Sequence, residues 1–241
     1  MQGVWVKSNY LNSISKTESP YKSFKELRGV ASMTIAVEHI KNDSISIGYS
    51  LNNHEGGNFT IYFIAGQKLT LLKTNLSGYD GNNSFYELGC CVKGVDTSLI
   101  LYHYNKNNRI IDSIFYTRVA NKATDESDAG WGIDYITNKK LATGSYEGVD
   151  SAGVSVKIEF KDNGKVYGFY NSKNYYISTD FEAGPANNLD QIGFYESDLM
   201  KAKWYSFKFN KDTLNLYNTY HNADSTLLFV GKRMYKLVKQ K

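Results

Sequence analysis

Antiparallel strands closed into β-barrels are the fold this sequence predicts, and three observations predict it. Apolar and polar residues alternate with a period of two along the whole chain, the pattern of strands with one buried and one wet face. Gly, Asn and Asp separate the runs, and these are the residues that turns require. The composition agrees: 20 Tyr, 12 Phe and 20 Gly stand against 2 Pro in 241 residues, and aromatics favour strands while Pro breaks them.

In the first half, strands are expected at 3–7, 30–38, 44–51, 59–65, 68–74, 85–92, 98–104 and 109–119, with turns at 66–67, 78–83 and 106–108. About eight strands is the number at which a closed barrel holds a packed or ligand-sized interior. A helix is expected within 20–29, where Phe24 and Leu27 are spaced to cover a barrel mouth. Residues 121–143 differ in character. Thr124, Asp125, Glu126, Ser127 and Asp128 make an acidic start, and Ile133, Ile136 and Leu141 fit a helical stripe. Lys139 and Lys140 sit near its negative end, with Gly144 just beyond, so the spacing predicts a helix over 132–142.

The second half repeats the strand pattern at 144–149, in both arms of a hairpin within 153–170, and at 175–181, 190–195, 203–209, 214–220 and 233–239. The hairpin is the clearest element. Val154, Val156, Ile158 and Phe160 share one face, Ser155, Lys157, Glu159 and Lys161 share the other, and Asp162, Asn163 and Gly164 supply the turn. The halves also open alike, since Gly3-Val4-Trp5 and Gly144-Ser145-Tyr146 match at a spacing of 141 residues. The organisation expected is two barrels in tandem, 1–120 and 144–241, joined by a helical linker at 121–143. One wide continuous barrel is the alternative.

Charge and composition narrow the function classes. There are 28 basic and 24 acidic residues, and the densest basic piece, Lys232, Arg233, Lys236, Lys239 and Lys241, is interleaved with a strand. No nucleic-acid partner is expected, because phosphate binding needs many cations on one face. No run approaches the ~18 apolar residues of a membrane-spanning helix. Cys90 and Cys91 are adjacent, point to opposite faces of a strand, and are expected as free thiols. The opening Met1-Gln2-Gly3-Val4-Trp5 has no basic segment followed by an apolar one. The localisation expected is therefore cytoplasmic, or periplasm or outer membrane as a lipoprotein if a leader was removed.

No catalytic or metal spacing survives inspection. His54-Glu55-Gly56-Gly57 lacks the second His of a zinc-protease helix, and the two glycines would break that helix. His39, His103 and His221 fall on separate strands. Asp80-Gly81-Asn82-Asn83-Ser84 carries oxygen ligands in a turn, but Cys91 holds the place where a calcium loop needs an acid. Asp125, Glu126 and Asp128 read as a helix start. Asp180, Glu182 and Asp190 flank Gly184-Pro185, yet nothing nearby marks one of them as a proton donor for glycoside hydrolysis. No nucleophile elbow or phosphate loop is present. The expectation is a protein that is not an enzyme and has neither metal nor cofactor.

The Gly-x-Trp of Gly3-Val4-Trp5, with Arg118 in the last strand of the same half, resembles the lipocalin, or broader calycin, arrangement. The resemblance implies that Trp5 closes the barrel floor and that Arg118 packs across its ring. In the second half Tyr146 stands for the Trp, and Arg233 or Lys236 would stand for the Arg. That half, through Gly144-x-Tyr146, Phe160-Lys161-Asp162-Asn163-Gly164-Lys165-Val166, Asp212-Thr213-Leu214-Asn215-Leu216-Tyr217 and Met234-Tyr235-Lys236-Leu237, is similar to lipocalin-like domains of predicted envelope lipoproteins of gut Bacteroidetes. The first half is similar through Gly3-Val4-Trp5 and Asn53-His54-Glu55-Gly56. The resemblance implies barrels and an envelope location and names no ligand.

Aromatic residues crowd the second half: Trp204, Tyr205, Phe207 and Phe209 lie near Tyr217, Tyr220, Tyr167, Phe169, Tyr175 and Tyr176. They read either as barrel core or as the wall of a ligand cavity, where rings give apolar area and hydroxyls fix orientation. The function expected is non-catalytic binding or carriage of a small apolar or amphipathic molecule in a barrel cavity, with Phe160, Phe169, Tyr205, Phe207 and Tyr217 as ligand-binding residues. The alternative is a cell-envelope interaction module that grips a glycan or protein through surface aromatics.

Overall fold

The computed structural model describes residues 1–78, 83–93, 96–125, 128–182 and 186–241. Asp80, Gly81 and Asn82 of the turn considered for calcium, Glu126 and Ser127 of the acidic start, and Gly184-Pro185 lie outside the described residues. The chain forms two compact units. One is Met1–Leu11 with Glu26–Ile133, the other Asn12–Lys25 with Asp134–Lys241.

The first unit contains β1 (Gly3–Lys7), β2 (Val30–Ile35), β3 (Ile40–Lys41), β4 (Ser44–Leu51), β5 (Glu55–Ala65), β6 (Leu71–Ser77), β7 (Phe85–Lys93), β8 (Asp96–Tyr104) and β9 (Ile110–Ala120). Their order is β2-β1-β9-β8-β7-β6-β5-β4-β3, and β2 pairs additionally with β4. Eight antiparallel strands thus close into a barrel, with short β3 appended to β4. Alternation decides which side chains turn inward. Ile45 and Ile47 of β4, Phe59 and Ile61 of β5, and Leu99 and Leu101 of β8 gather with Trp5, Met33 and Tyr116 in one buried cluster. The Tyr116 hydroxyl donates to the Val30 carbonyl at 2.7 Å, so this deep polar atom is satisfied. Burial pushes its pKa well above the ordinary tyrosine value.

Three helices accompany the strands: α1 (Ser8–Thr17), α2 (Pro20–Ser23), continued by a 3-10 turn over Phe24–Leu27, and α3 (Trp131–Leu141). Helix α3 lies within a residue of the helix expected over 132–142 and α2 falls within the expected 20–29, whereas α1 lies where no element is expected. Strand β2 stops at Ile35, short of the expected 38, because Val37–His39 winds into a 3-10 turn.

The second unit contains β10 (Gly144–Asp150), β11 (Ser155–Phe160), β12 (Val166–Tyr167), β13 (Asn174–Ile177), β14 (Gln191–Tyr195), β15 (Lys203–Asn210), β16 (Thr213–His221) and β17 (Leu228–Lys239). They form a separate antiparallel sheet in the order β12-β11-β10-β17-β16-β15-β14-β13, not a continuation of the first. Its edges meet. Lys165 and Asn174 form an isolated antiparallel bridge, Val166 N donates to Lys173 O at 3.0 Å, and Tyr175 N donates to Gly164 O at 2.7 Å. In both units the opening strand lies between the second strand and the last.

Asp190 fixes the segment 12–25 within the second unit. Its carboxylate accepts the Ser19 hydroxyl at 2.6 Å and the Tyr21 backbone N–H at 2.8 Å. Ser19 in turn caps α2 by accepting from Lys22 N at 3.1 Å. Hydrogen bonds to a charged group contribute about 1.5–3 kcal/mol, so Asp190→Ala is expected to cost about 2 kcal/mol, read by urea unfolding, and to speed proteolysis within 12–25. Burial raises the Asp190 pKa above its ordinary value, against the opposing Ser19 and Tyr21 donors. The folded state therefore keeps this proton in a window where the unfolded chain has lost it. The contribution is full below about pH 3.9, the unfolded carboxyl value, and declines as pH rises through the folded pKa. Asp190→Asn, which cannot titrate, is expected to flatten that part of the stability profile.

Candidate functional site

The interior of the second unit is lined by rings because β10, β11, β14, β15 and β17 each send an aromatic inward. Phe160 is fully buried and meets Tyr146 at 5.5 Å, Tyr175 at 5.0 Å and Phe194 at 6.1 Å between centroids. Phe169 stacks on Phe194 at 3.8 Å and 18° and reaches Tyr205 at 6.1 Å and Tyr235 at 5.2 Å. Tyr205 and Tyr235 are edge to face at 5.8 Å. Apart from the closer Phe169–Phe194 stack, these spacings fall in the range of favourable ring pairs. The structure thus brings Phe160, Phe169 and Tyr205 together around Phe194, and Phe207 is buried as well. Phe207 contacts half-buried Phe209 at 5.7 Å.

Tyr217 goes elsewhere. The pairing of β16 with β17 shifts register on both sides of it, and it lies opposite Arg233. Beside this irregularity is a groove of about 380 Å³ bordered by Val149, Tyr217, Met234 and Tyr235 and by Lys232, Arg233 and Lys236. The three cations are exposed and none holds an ion pair among the described residues. The one acid at the rim, Asp150, is occupied by its own turn: its Oδ1 accepts from Ala152 N at 2.8 Å and Val154 N at 2.9 Å. A second groove of about 340 Å³ runs past Glu147, Lys157 and Tyr167, but Lys157 and Glu147 neutralise each other at 2.8 Å. A third hollow beside Tyr146 and Lys239 measures about 150 Å³, below the ~300 Å³ typical of ligand sites.

Each unit also places a cation over the aromatic of its opening strand. Trp5 is fully buried, pairs directly across the ladder with Arg118, and has the guanidinium 5.9 Å from its ring. Tyr146 pairs with Lys239, whose ammonium is 5.9 Å from the ring. The cation in the second unit is therefore Lys239, not Arg233 or Lys236. Glycine opens each strand for two reasons. Gly3 and Gly144 have φ of +137° and +141°, which L side chains resist. A Cβ there would also come within 2.8 Å of Arg118 Cδ and 2.6 Å of Lys239 Cε.

In the first unit, Tyr86 and His103 stack at 4.3 Å and 11°. Lys7 donates to the Arg28 carbonyl. Burial lowers the Lys7 pKa against the opposing pull of Asp112 and Glu26. Of the carboxylates considered for hydrolysis, Asp190 is engaged by Ser19 and Tyr21, and Asp180 accepts from Glu182 N at 3.0 Å. Among the described residues no three His, Cys, Asp or Glu side chains are placed to share a metal ion, and no helix is long and apolar enough to cross a membrane.

No protein-family model matches the chain, and no curated protein is significantly similar to it. The closed eight-stranded antiparallel barrel is compatible with a calycin-like fold. The groove residues Val149 and Met234 are absent from the sequence-derived site. Met234 follows Arg233 in the chain and Val149 pairs with Lys236 across the β10–β17 ladder, and no motif announces that this face carries a groove.

Proposed function

We propose that this is a non-catalytic binding protein for a small amphipathic molecule with an acidic group, held in the groove between Tyr217 and Arg233. One observation carries the reading: an apolar and aromatic floor, Val149, Tyr217 and Met234, meets three cations that hold no ion pair among the described residues, around a volume within the range of ligand pockets. The interior is a poorer place for cargo, since its rings already contact one another. The barrel, its Gly-x-Trp opening and the Arg118 cation support a lipocalin-like kinship, and with it an envelope location that cell fractionation would test.

Titration calorimetry with oleate and with its methyl ester tests the groove. Oleate is expected to bind and the ester to bind more weakly. Arg233→Ala and Tyr217→Ala are each expected to weaken oleate by roughly five- to tenfold, about 1 kcal/mol, and added salt to weaken it further. Equal affinity for the acid and the ester, or unchanged affinity in both variants, would sink the reading.

A second reading has its own observation. On the far part of the β16–β17 ribbon, Tyr220 and Phe229 stack at 5.6 Å and 22° while 58% and 45% exposed. Such a platform suits the apolar face of a sugar. Glycan-array binding lost in Tyr220→Ala and kept in Arg233→Ala would favour it.

A further inference from the structure

At one end of the first unit the approach to β4, the β5–β6 turn and the paired ends of β7 and β8 stand side by side. Ser44 pairs with Tyr62 and Phe63 N donates to Asp43 O, so the approach to β4 adjoins the end of β5. Ala65 pairs with Leu72, Leu71 with Gly89 and Val92 with Thr97, which places the β5–β6 turn next to the paired ends of β7 and β8. Their outer residues are apolar and exposed: Val37 48%, Ile40 44%, Phe63 42%, Ile64 48%, Leu69 93% and Val92 66%. None of these side chains is needed for the core, and water is a poor solvent for all six.

The charges among them have one sign in excess. Lys41, Lys68 and Lys73 are exposed. Glu38 is held by Lys122 at 2.9 Å, and Glu87 is buried, accepting from Gln67 N at 2.8 and 2.9 Å. Asp43 joins Glu38 as an exposed acid among the described side chains of these segments. We propose that this end of the first barrel docks onto an anionic lipid surface. Leu69, Ile64, Phe63 and Val92 enter the interfacial layer while Lys41 and Lys68 face the headgroups. A protein partner would need one contiguous complementary face. A fluid bilayer accepts separate apolar tips at a common end and adds attraction for each neighbouring lysine.

The test is flotation of the full chain with vesicles of phosphatidylcholine alone and of phosphatidylcholine with phosphatidylserine. Wild type is expected to float with the anionic vesicles, less with the neutral ones, and less again in high salt. Leu69→Asp and Ile64→Asp change exposed tips and leave the core untouched, which circular dichroism melting checks. Each is expected to reduce flotation by roughly tenfold. Wild type remaining in the soluble fraction overturns the proposal, as do aspartate variants that float like wild type. A dimer of the free protein that Leu69→Asp dissociates, without vesicle binding, would assign the face to a second copy and overturn it equally.

Discussion

Phe160→Ala is expected to destabilise the second unit by about 3–5 kcal/mol, the range for removing a fully packed aromatic from a core. The ring is fully buried and stands at the junction of two edge-to-face contacts, with Tyr146 at 89° and Tyr175 at 87°. Truncation removes both and leaves Phe194 facing a void, because residues paired into a closed ring of strands relax little. The midpoint of thermal unfolding should fall by on the order of 10 °C, with Phe160→Leu losing less than half as much. The same variant separates core from cavity wall. If the interior normally held a ligand, the pocket would already be open, so truncation would change ligand affinity and cost little stability in the ligand-free protein. A near-silent melt with altered binding would move the site from the groove at Tyr217 back into the barrel.

What was legible in the sequence was whatever a local period could encode. Ile158 and Phe160 turn inward while Lys157 and Glu159 turn outward because adjacent strand residues face opposite ways. Helix α3 was legible because Ile133, Ile136 and Leu141 recur at helical spacing, with Lys139 and Lys140 in the last turn. Helix α1 was not. Its sequence SNYLNSISKT has one apolar cluster, Tyr10, Leu11 and Ile14, among Ser and Asn residues of poor helical propensity. The grouping of 12–25 with the second unit was equally hidden, since it rests on Ser19 bonding Asp190 across 171 residues. At the sites, the pairing of Trp5 with Arg118 followed from the lipocalin resemblance of Gly3-Val4-Trp5, whereas Lys239 over Tyr146 depends on the exact register of β10 against β17. The groove lies beside a shift in register at Tyr217, which leaves no mark in composition or period.

Trp5→Ala is expected to be the most damaging single change in the first unit, at about 3–5 kcal/mol. The indole has no exposed surface, its Nε1 donates to the Met1 carbonyl at 2.9 Å, and the Arg118 guanidinium lies over its ring. Burial of the ring accounts for most of the loss, since a cation over an aromatic contributes only about 0.5–2 kcal/mol. A double-mutant cycle with Arg118→Met, which keeps the aliphatic stem, should therefore return a coupling of about 1 kcal/mol. The corresponding position in the second unit predicts the opposite sign for a small change. The Tyr146 hydroxyl is buried without a hydrogen-bond partner among the described residues, and burial pushes its pKa well above the ordinary tyrosine range. Tyr146→Phe keeps the ring under Lys239 and removes the unsatisfied group, so it should leave stability unchanged or raise it by about 1 kcal/mol. A clear loss in chemical denaturation would show that this hydroxyl has a partner in solution and that the floor of the second unit is wetter than its geometry indicates.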